Sequence, residues 1–311
     1  AYLQALNASK YSIHKFSTDV RPKSVGTYKS NYSIKHIALD DLMDTLLKTN
    51  KALKDSKKVV SAISMARIVD MDMRFVSTNG SDFNQSFMYV GPGFRVIAQD
   101  GNIVQSRSYT DQCQQAGMEN FNQDRVVSKC EDLSREVVEL LTAEDCPTEK
   151  MDLVLHSDQM LLQIHESIGH ALEVDRILGD ERNYAGWSFV KLEDFGKLQY
   201  GSELMNITFD PTLQSEFASY AYDDGGLRAT KEYLIKDGVL VRGLGGQESQ
   251  IRSGLDGVAN FRSSGWNRAP IDRMANINLE PGESTFDELI NQVEQGVYME
   301  SNKSWSIDDY R

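Results

Sequence analysis

FVSTNGSDFNQSFMYVGPGFRVIAQDGNIVQSRS, residues 75–108, is the stretch on which the fold class turns. Two hairpin dipeptides, Asn79-Gly80 and Asp100-Gly101, lie inside it, each with apolar or β-prone flanks. Phe87-Met88-Tyr89-Val90 and Phe94-Arg95-Val96-Ile97-Ala98 read as strands between the turns, and Gly91-Pro92-Gly93 is expected to break the run. Upstream, Val59 to Phe75 also reads as strand, but Ala62, Ser64, Ala66 and Val69 mix too freely with polar neighbours to set a register. Leu39 to Leu53 carries apolar residues at 39, 42, 43, 46, 47 and 53, a helical spacing. The opening to about Lys35 is polar and is expected to be irregular. Val126 to Leu141 returns to helix, and Glu144-Asp145-Cys146-Pro147-Thr148 is expected to be a boundary because proline stops the helix in a polar segment.

The second half begins with a strand, Met151 to His156. Ser157 is the expected N-cap of the next helix, with Asp158 in its first turn. Leu161, Ile164, Ile168 and Leu172 recur at helical spacing and predict one buried face. Tyr233-Leu234-Ile235 and Val239-Leu240-Val241 flank Lys236-Asp237-Gly238 as another hairpin, and Phe286 to Val297 reads as an amphipathic helix. Hairpins mixed with separated helices predict an α+β fold with antiparallel sheets, not a doubly wound α/β sheet. The expected division is residues 1–147 and residues 148–311.

On the predicted helix stands His165-Glu166-Ser167-Ile168-Gly169-His170, H-E-x-x-x-H. Two imidazoles can bind one divalent metal, and an adjacent carboxylate can take a proton from a water that the metal activates. The familiar zinc motif, H-E-x-x-H, is one residue shorter. In an ideal α-helix, residues five apart point about 140° from one another, at roughly 100° per residue, so the two rings could not share an ion. The motif therefore predicts a π-bulge, an i→i+5 turn from His165 to His170, with Gly169 easing the backbone. A regular helix with the rings on opposite sides, one His in the core and the other at the surface, is the bland alternative.

Catalytic zinc normally takes three protein ligands. Glu173 and Asp175 are near in sequence, but such carboxylates more often orient a ligand or pair with a cation such as Arg176. None of Cys113, Cys130 and Cys146 has a context that singles it out, and their odd number and wide spacing fit a reduced, cytoplasmic setting. A net charge of −13 argues against a nucleic-acid surface or a basic membrane-binding face. No run of 18 apolar residues is present. His14, His36 and His156 are isolated, and Trp187, Trp266 and Trp305 are expected in the core or an interface. Gly243-Leu244-Gly245-Gly246 reads as a turn, and Asp223-Asp224-Gly225-Gly226 as a loop without the closing Glu of an EF-hand.

His165-Glu166-Ser167-Ile168-Gly169-His170-Ala171-Leu172-Glu173-Val174-Asp175 resembles the H-E-x-x-G-H-x-x-E-x-D signature of the TldD/PmbA metallopeptidases. Leu234 to Leu240 resembles the family hairpin, Pro270-x-x-Arg273-Met274-x-Asn276 a later family segment, and Leu279-Glu280-Pro281-Gly282 with Glu294 to Tyr298 the stretch after it. The likeness runs from about residue 150 to 300. It implies a Zn²⁺-dependent peptidase of the metal-bearing kind, working on peptides as a homodimer or with a related subunit. It also implies a third ligand, a Cys well downstream. The chain starts at Ala1 without an initiator Met and stops at Arg311 before such a Cys, so it reads as an internal piece of a longer polypeptide. The expected chemistry has His165 and His170 as metal ligands, Glu166 as the general base, and Glu173 or Asp175 orienting an imidazole. A non-catalytic subunit or assembly module that needs a partner, and a hydrolase of small amides or esters, are the rival readings.

Overall fold

The computed structural model describes residues 2–12, 21–109, 113–182, 186–302 and 304. After a short helix, α1 (Tyr2–Ser9), and strand β1 (Val25–Lys29), helix α2 (Leu39–Leu53) leads into two long strands, β2 (Val59–Val76) and β3 (Asp82–Asp100). They pair antiparallel with Phe75 opposite Phe83 and Val59 opposite Ala98. The predicted turns close this hairpin and the next one, to β4 (Ile103–Tyr109). Gly80 and Gly101 take φ of 85° and 57°, the left-handed region where glycine is at no disadvantage.

The expected break at Gly91-Pro92-Gly93 does not occur, and β3 runs straight through it opposite Arg67, Ala66 and Met65. The other edge of β3 explains the tolerance. β1 pairs there over Asp82–Ser86, β5 (Gln114–Gln115) over Tyr89–Val90, and β4 from Phe94 onward. Pro92 falls in the gap between the last two, an edge position where a missing N–H is admissible. Within the stretch expected to be irregular, Val25–Lys29 is strand, since β1 is recruited by β3 as a parallel partner.

Both faces of β3 are used. Phe83, Gln85 and Phe87 are buried on one face, and Met88, Val90, Phe94, Val96 and Ala98 on the other, as the two-residue period of a strand requires. The second set packs with Leu42 and Leu53 of α2 and with Val126, Cys130, Leu133 and Val137 of α3 (Gln123–Glu139). Phe87 belongs to a second core built mainly from residues 168–259. Gln85, 1% exposed, ties the two together by mimicking a peptide unit. Its Nε2 donates to the Tyr222 carbonyl at 2.9 Å, and its Oε1 accepts from the Ala221 and Tyr222 amides at 2.9 and 3.1 Å.

Past residue 148 come β6 (Asp152–Leu155), α4 (Ser157–Ile164) and α5 (Val174–Leu178). Then β7 (Ile207–Phe209), β8 (Glu232–Lys236) and β9 (Val239–Leu240) form a sheet in the order β12-β7-β8-β9, where β12 is Ile277–Leu279. Asp237 and Gly238 turn β8 into β9 with φ of 50° and 75°, the mirror-image turn that suits a tight hairpin. Between them lie α6 (Gln247–Ser253) and the pair β10 (Phe261–Arg262) and β11 (Ile271–Asp272). Leu172, Ile207, Phe209, Leu234, Ile235, Leu240 and Leu244 fill this core. The predicted long helix from Phe286 stops at Asn291 (α7), because Gly296–Met299 (β13) is claimed by β6 as a parallel partner, Val297 opposite Leu153. The observed fold is α+β, as expected, with two parallel strand pairs that the sequence did not signal.

Trp187 and Trp266 are 61% and 99% exposed, not core residues, and Trp305 and His14 lie outside the described residues. No disulfide joins the cysteines among the described residues. Among these residues, no helix is long and apolar enough to cross a membrane.

Candidate metal centre

Helix α4 is launched by His156, not Ser157: the His156 ring nitrogen Nδ1 accepts from the Asp158 amide at 3.3 Å. A ring nitrogen here replaces the hydroxyl acceptor expected of an N-cap. The α-helix ends at Ile164, and His165–Gly169 form a π turn in which the His170 amide donates to the His165 carbonyl. This is the predicted i→i+5 bond, and a short 3₁₀ segment, His170–Leu172, follows it. The wide turn rotates the helix face. Ile168 and Leu172 are buried, but Leu161 is 63% exposed, so the predicted apolar stripe starts later than its spacing suggested.

Two contacts hold the turn. The Tyr200 hydroxyl donates to the Ser167 carbonyl at 2.6 Å, one of the acceptors that a widened turn must satisfy elsewhere. Gly169 lies under Met274, and a β-carbon there would come within 1.9 Å of the Met274 sulfur. Its φ and ψ, −54° and −65°, are ordinary helical values. Glycine is therefore required for the close approach of Met274, not for the backbone freedom that the sequence suggested.

The consequence is convergence. The His165 and His170 ring centroids are 4.6 Å apart at an interplanar angle of 87°. One ring nitrogen from each and a Glu166 oxygen all lie within 4.8 Å of one another. Such a donor set, two imidazoles and a carboxylate, suits a zinc-like ion. Two further observations fit. Partial burial, followed by the neighbouring His170, holds the His165 pKa below its usual value, which favours the neutral ring that a metal needs. Glu166 Oε1 is buried with no hydrogen-bond partner among the described residues, a costly state for a carboxylate oxygen unless a ligand or solvent meets it.

Behind the rings sits Glu173, 1% exposed. Its Oε2 is 2.9 Å from His170 Nδ1 and 3.1 Å from Arg176. Arg176 also comes within 3.1 Å of the same ring nitrogen, but one nitrogen cannot both donate and accept. The charge-assisted bond to a buried carboxylate is the stronger partner. With Nδ1–H given to Glu173, the lone pair of Nε2 is left for a metal. Asp175, the other candidate, points elsewhere. Its side chain accepts from the Asp272 amide at 3.0 Å, and the Asp175 amide donates to the Asp272 carboxylate at 3.1 Å. Burial and then the mutual proximity of the two acids push the Asp175 pKa upward.

Tyr200, Asp272, Arg273 and Met274 are the neighbours that residue-by-residue reading missed. Arg273 and Met274 belong to the Pro270-to-Asn276 segment, but nothing in its spacing signals that Met274 packs on the π turn. The glycine run does lead from β9 into α6, a strand-to-helix passage the sequence did not show. Its Gly246 amide, however, is taken by Asp272 Oδ1 at 2.7 Å, so a resident carboxylate fills the position. Asp223 is spent within its own loop, where it accepts from the Gly225, Leu227 and Phe261 amides.

Residues 148–310 match the PmbA/TldA metallopeptidase C-terminal domain. A metalloprotease of Methanothermobacter thermautotrophicus is 31% identical over 242 residues, 77% of this chain and 51% of that protein. The zinc metalloprotease TldD homolog of Saccharolobus solfataricus is 23% identical over 66% of this chain and 44% of its own length. The chain thus spans about half the length of the curated relatives it matches. Among solved structures, TldE from Thermococcus kodakarensis superposes with a TM-score of 0.73 at 15% identity, covering 99% of this chain and 68% of that one, a likeness of fold.

Proposed function

The chain belongs to the TldD/PmbA metallopeptidase family, and from that premise we propose that it carries the zinc-binding half of a peptidase active site. His165 and His170 hold the ion, Glu166 is the general base, and Glu173 positions His170. The observation that carries this reading is the π turn, which brings one ring nitrogen from each histidine and an oxygen of Glu166 within 4.8 Å of one another. Zinc, when bound, supplies Lewis-acid activation of water and polarisation of the scissile carbonyl. Glu166 takes the proton of the attacking water and passes it to the leaving amine. Glu173 keeps the proton of His170 on Nδ1. The substrate is an extended or unfolded peptide. The unit that does this is residues 148–311, whose residues supply most of the second core, and residues 1–147 form the companion unit, reaching into that core with Phe87. A cytoplasmic setting is part of the same reading, supported by cysteines that form no disulfide.

With Glu166 kept for proton transfer, the His165-Glu166-His170 cluster leaves two imidazoles as ligands, where catalytic zinc normally takes three from the protein. In our reading the third ligand is a cysteine, as the family resemblance implies. The same observation favours a second reading, an assembly module that acts only with a related subunit, as a homodimer or heterodimer. Glu166→Gln decides the chemistry: zinc should stay bound while peptide cleavage is lost. Unchanged turnover in that variant removes Glu166 as the base. Cleavage of small amides but not of unfolded peptide would move the substrate class instead.

A further inference from the structure

Two guanidinium groups face the Glu173 carboxylate, and they are not equivalent. Arg176, with a side chain 11% exposed, meets Oε2 at 3.1 Å. Arg273, 42% exposed, stands 3.9 Å from Oε1, too far for a hydrogen bond. One carboxylate neutralises one of these charges, and Arg176 has the closer claim. Arg273 is the more exposed of the two, and its guanidinium is not engaged by Glu173 in a hydrogen bond. Its backbone is fixed from both sides. The Arg273 amide donates to the Asn260 carbonyl at 3.2 Å, and the next residue, Met274, packs on Gly169 within the π turn. A solvent-accessible guanidinium on a braced backbone, 3.9 Å from the carboxylate that holds His170, is placed to receive an anionic oxygen.

We propose that Arg273 binds an anionic oxygen of the peptide substrate at the metal centre. This rests on the peptidase reading above. Two sources have the required chemistry: the C-terminal carboxylate of the peptide, and the scissile carbonyl oxygen as negative charge develops on it. Both call for the planar fork of arginine, so Arg273→Lys should restore only part of what Arg273→Gln loses.

The test is equilibrium binding to zinc-loaded protein bearing Glu166→Gln, with and without Arg273→Gln or Arg273→Lys. The probes are one peptide as free acid, the same peptide as C-terminal amide, and a phosphinic peptide with a tetrahedral anionic centre. Zinc content and melting temperature are measured on each protein. If the terminal carboxylate is the partner, the free acid binds roughly tenfold tighter than the amide, and Arg273→Gln erases the difference. If the scissile oxygen is the partner, acid and amide bind alike, and only the phosphinic peptide weakens, by roughly tenfold or more, in Arg273→Gln. A variant with normal zinc content that binds all three probes as its parent does overturns the proposal. If the full-length polypeptide that carries these residues takes up no zinc, the underlying peptidase reading is refuted, and the proposal falls with it.

Discussion

Gly169→Ala is the sharpest probe of how the site is built. Alanine accepts the observed φ and ψ of −54° and −65° without strain. Within a helix it should be favoured over glycine by about 0.5–1 kcal/mol. Packing opposes this gain. The new methyl would lie 1.9 Å from Met274 Sδ, 2.9 Å from Cγ and 3.2 Å from Cε. Comfortable contact is about 3.5–4.0 Å, so Met274 must retreat by well over an ångström. Overpacking of this kind costs about 1–3 kcal/mol, more than the helix term returns. The single variant should therefore melt a few degrees lower and bind zinc more weakly. The discriminating step is the same substitution in a Met274→Ala background. There the obstacle is gone, and Gly169→Ala should become stabilising by the helix term alone. Thermal or urea unfolding of the four proteins reads this change of sign. An equal loss in both backgrounds, or a gain in the parent, would refute the close-approach explanation.

Glu173→Gln removes the charge between His170 and two arginines. It should destabilise the protein by about 3–5 kcal/mol, as expected when a buried cation such as Arg176 loses a carboxylate partner, and unfolding in denaturant measures it. Zinc affinity should fall about 10–100-fold through the misoriented imidazole, read by chelator competition. Stability should also depend on pH through the buried acids. Burial raises the Asp223 pKa to about 7, and Asp175 and Asp272 are raised as well. Unfolded aspartates titrate near about 3.9. The folded state therefore holds the extra protons between these values, and its stability is greatest at the acid end of that window and is lost as pH rises through 7. Melting temperature should drop between pH 5 and pH 8, and a rise would contradict the assignment.

Much of the fold was legible because its signals are local. Helix α2 fell on its predicted residues, and the turns at Asn79-Gly80, Asp100-Gly101 and Asp237-Gly238 formed where their dipeptides stood. The π turn was legible too, since two ligands five residues apart leave few ways to meet on a helix. What the sequence hid depends on remote partners. Pro92 is tolerated inside β3 because of where β4 and β5 stop along its other edge. Val297 is strand, not helix, because β6 pairs with it. The burial of β3 on both faces, against two different cores, was equally out of reach of a local reading. At the site, His165, Glu166 and His170 were readable as a motif. The Tyr200 hydroxyl and the Met274 side chain that hold the turn come from 30 and 104 residues past His170, and no local pattern announces them.

Zinc-edge X-ray absorption on the polypeptide that carries these residues, compared with His165→Ala and His170→Ala, tests the core of the account. One bound ion should show two imidazole nitrogens at about 2.0–2.1 Å, and each variant should lose one of them. A spectrum with no imidazole nitrogens, or one that neither substitution changes, would mean that the π turn does not unite the two rings on a metal.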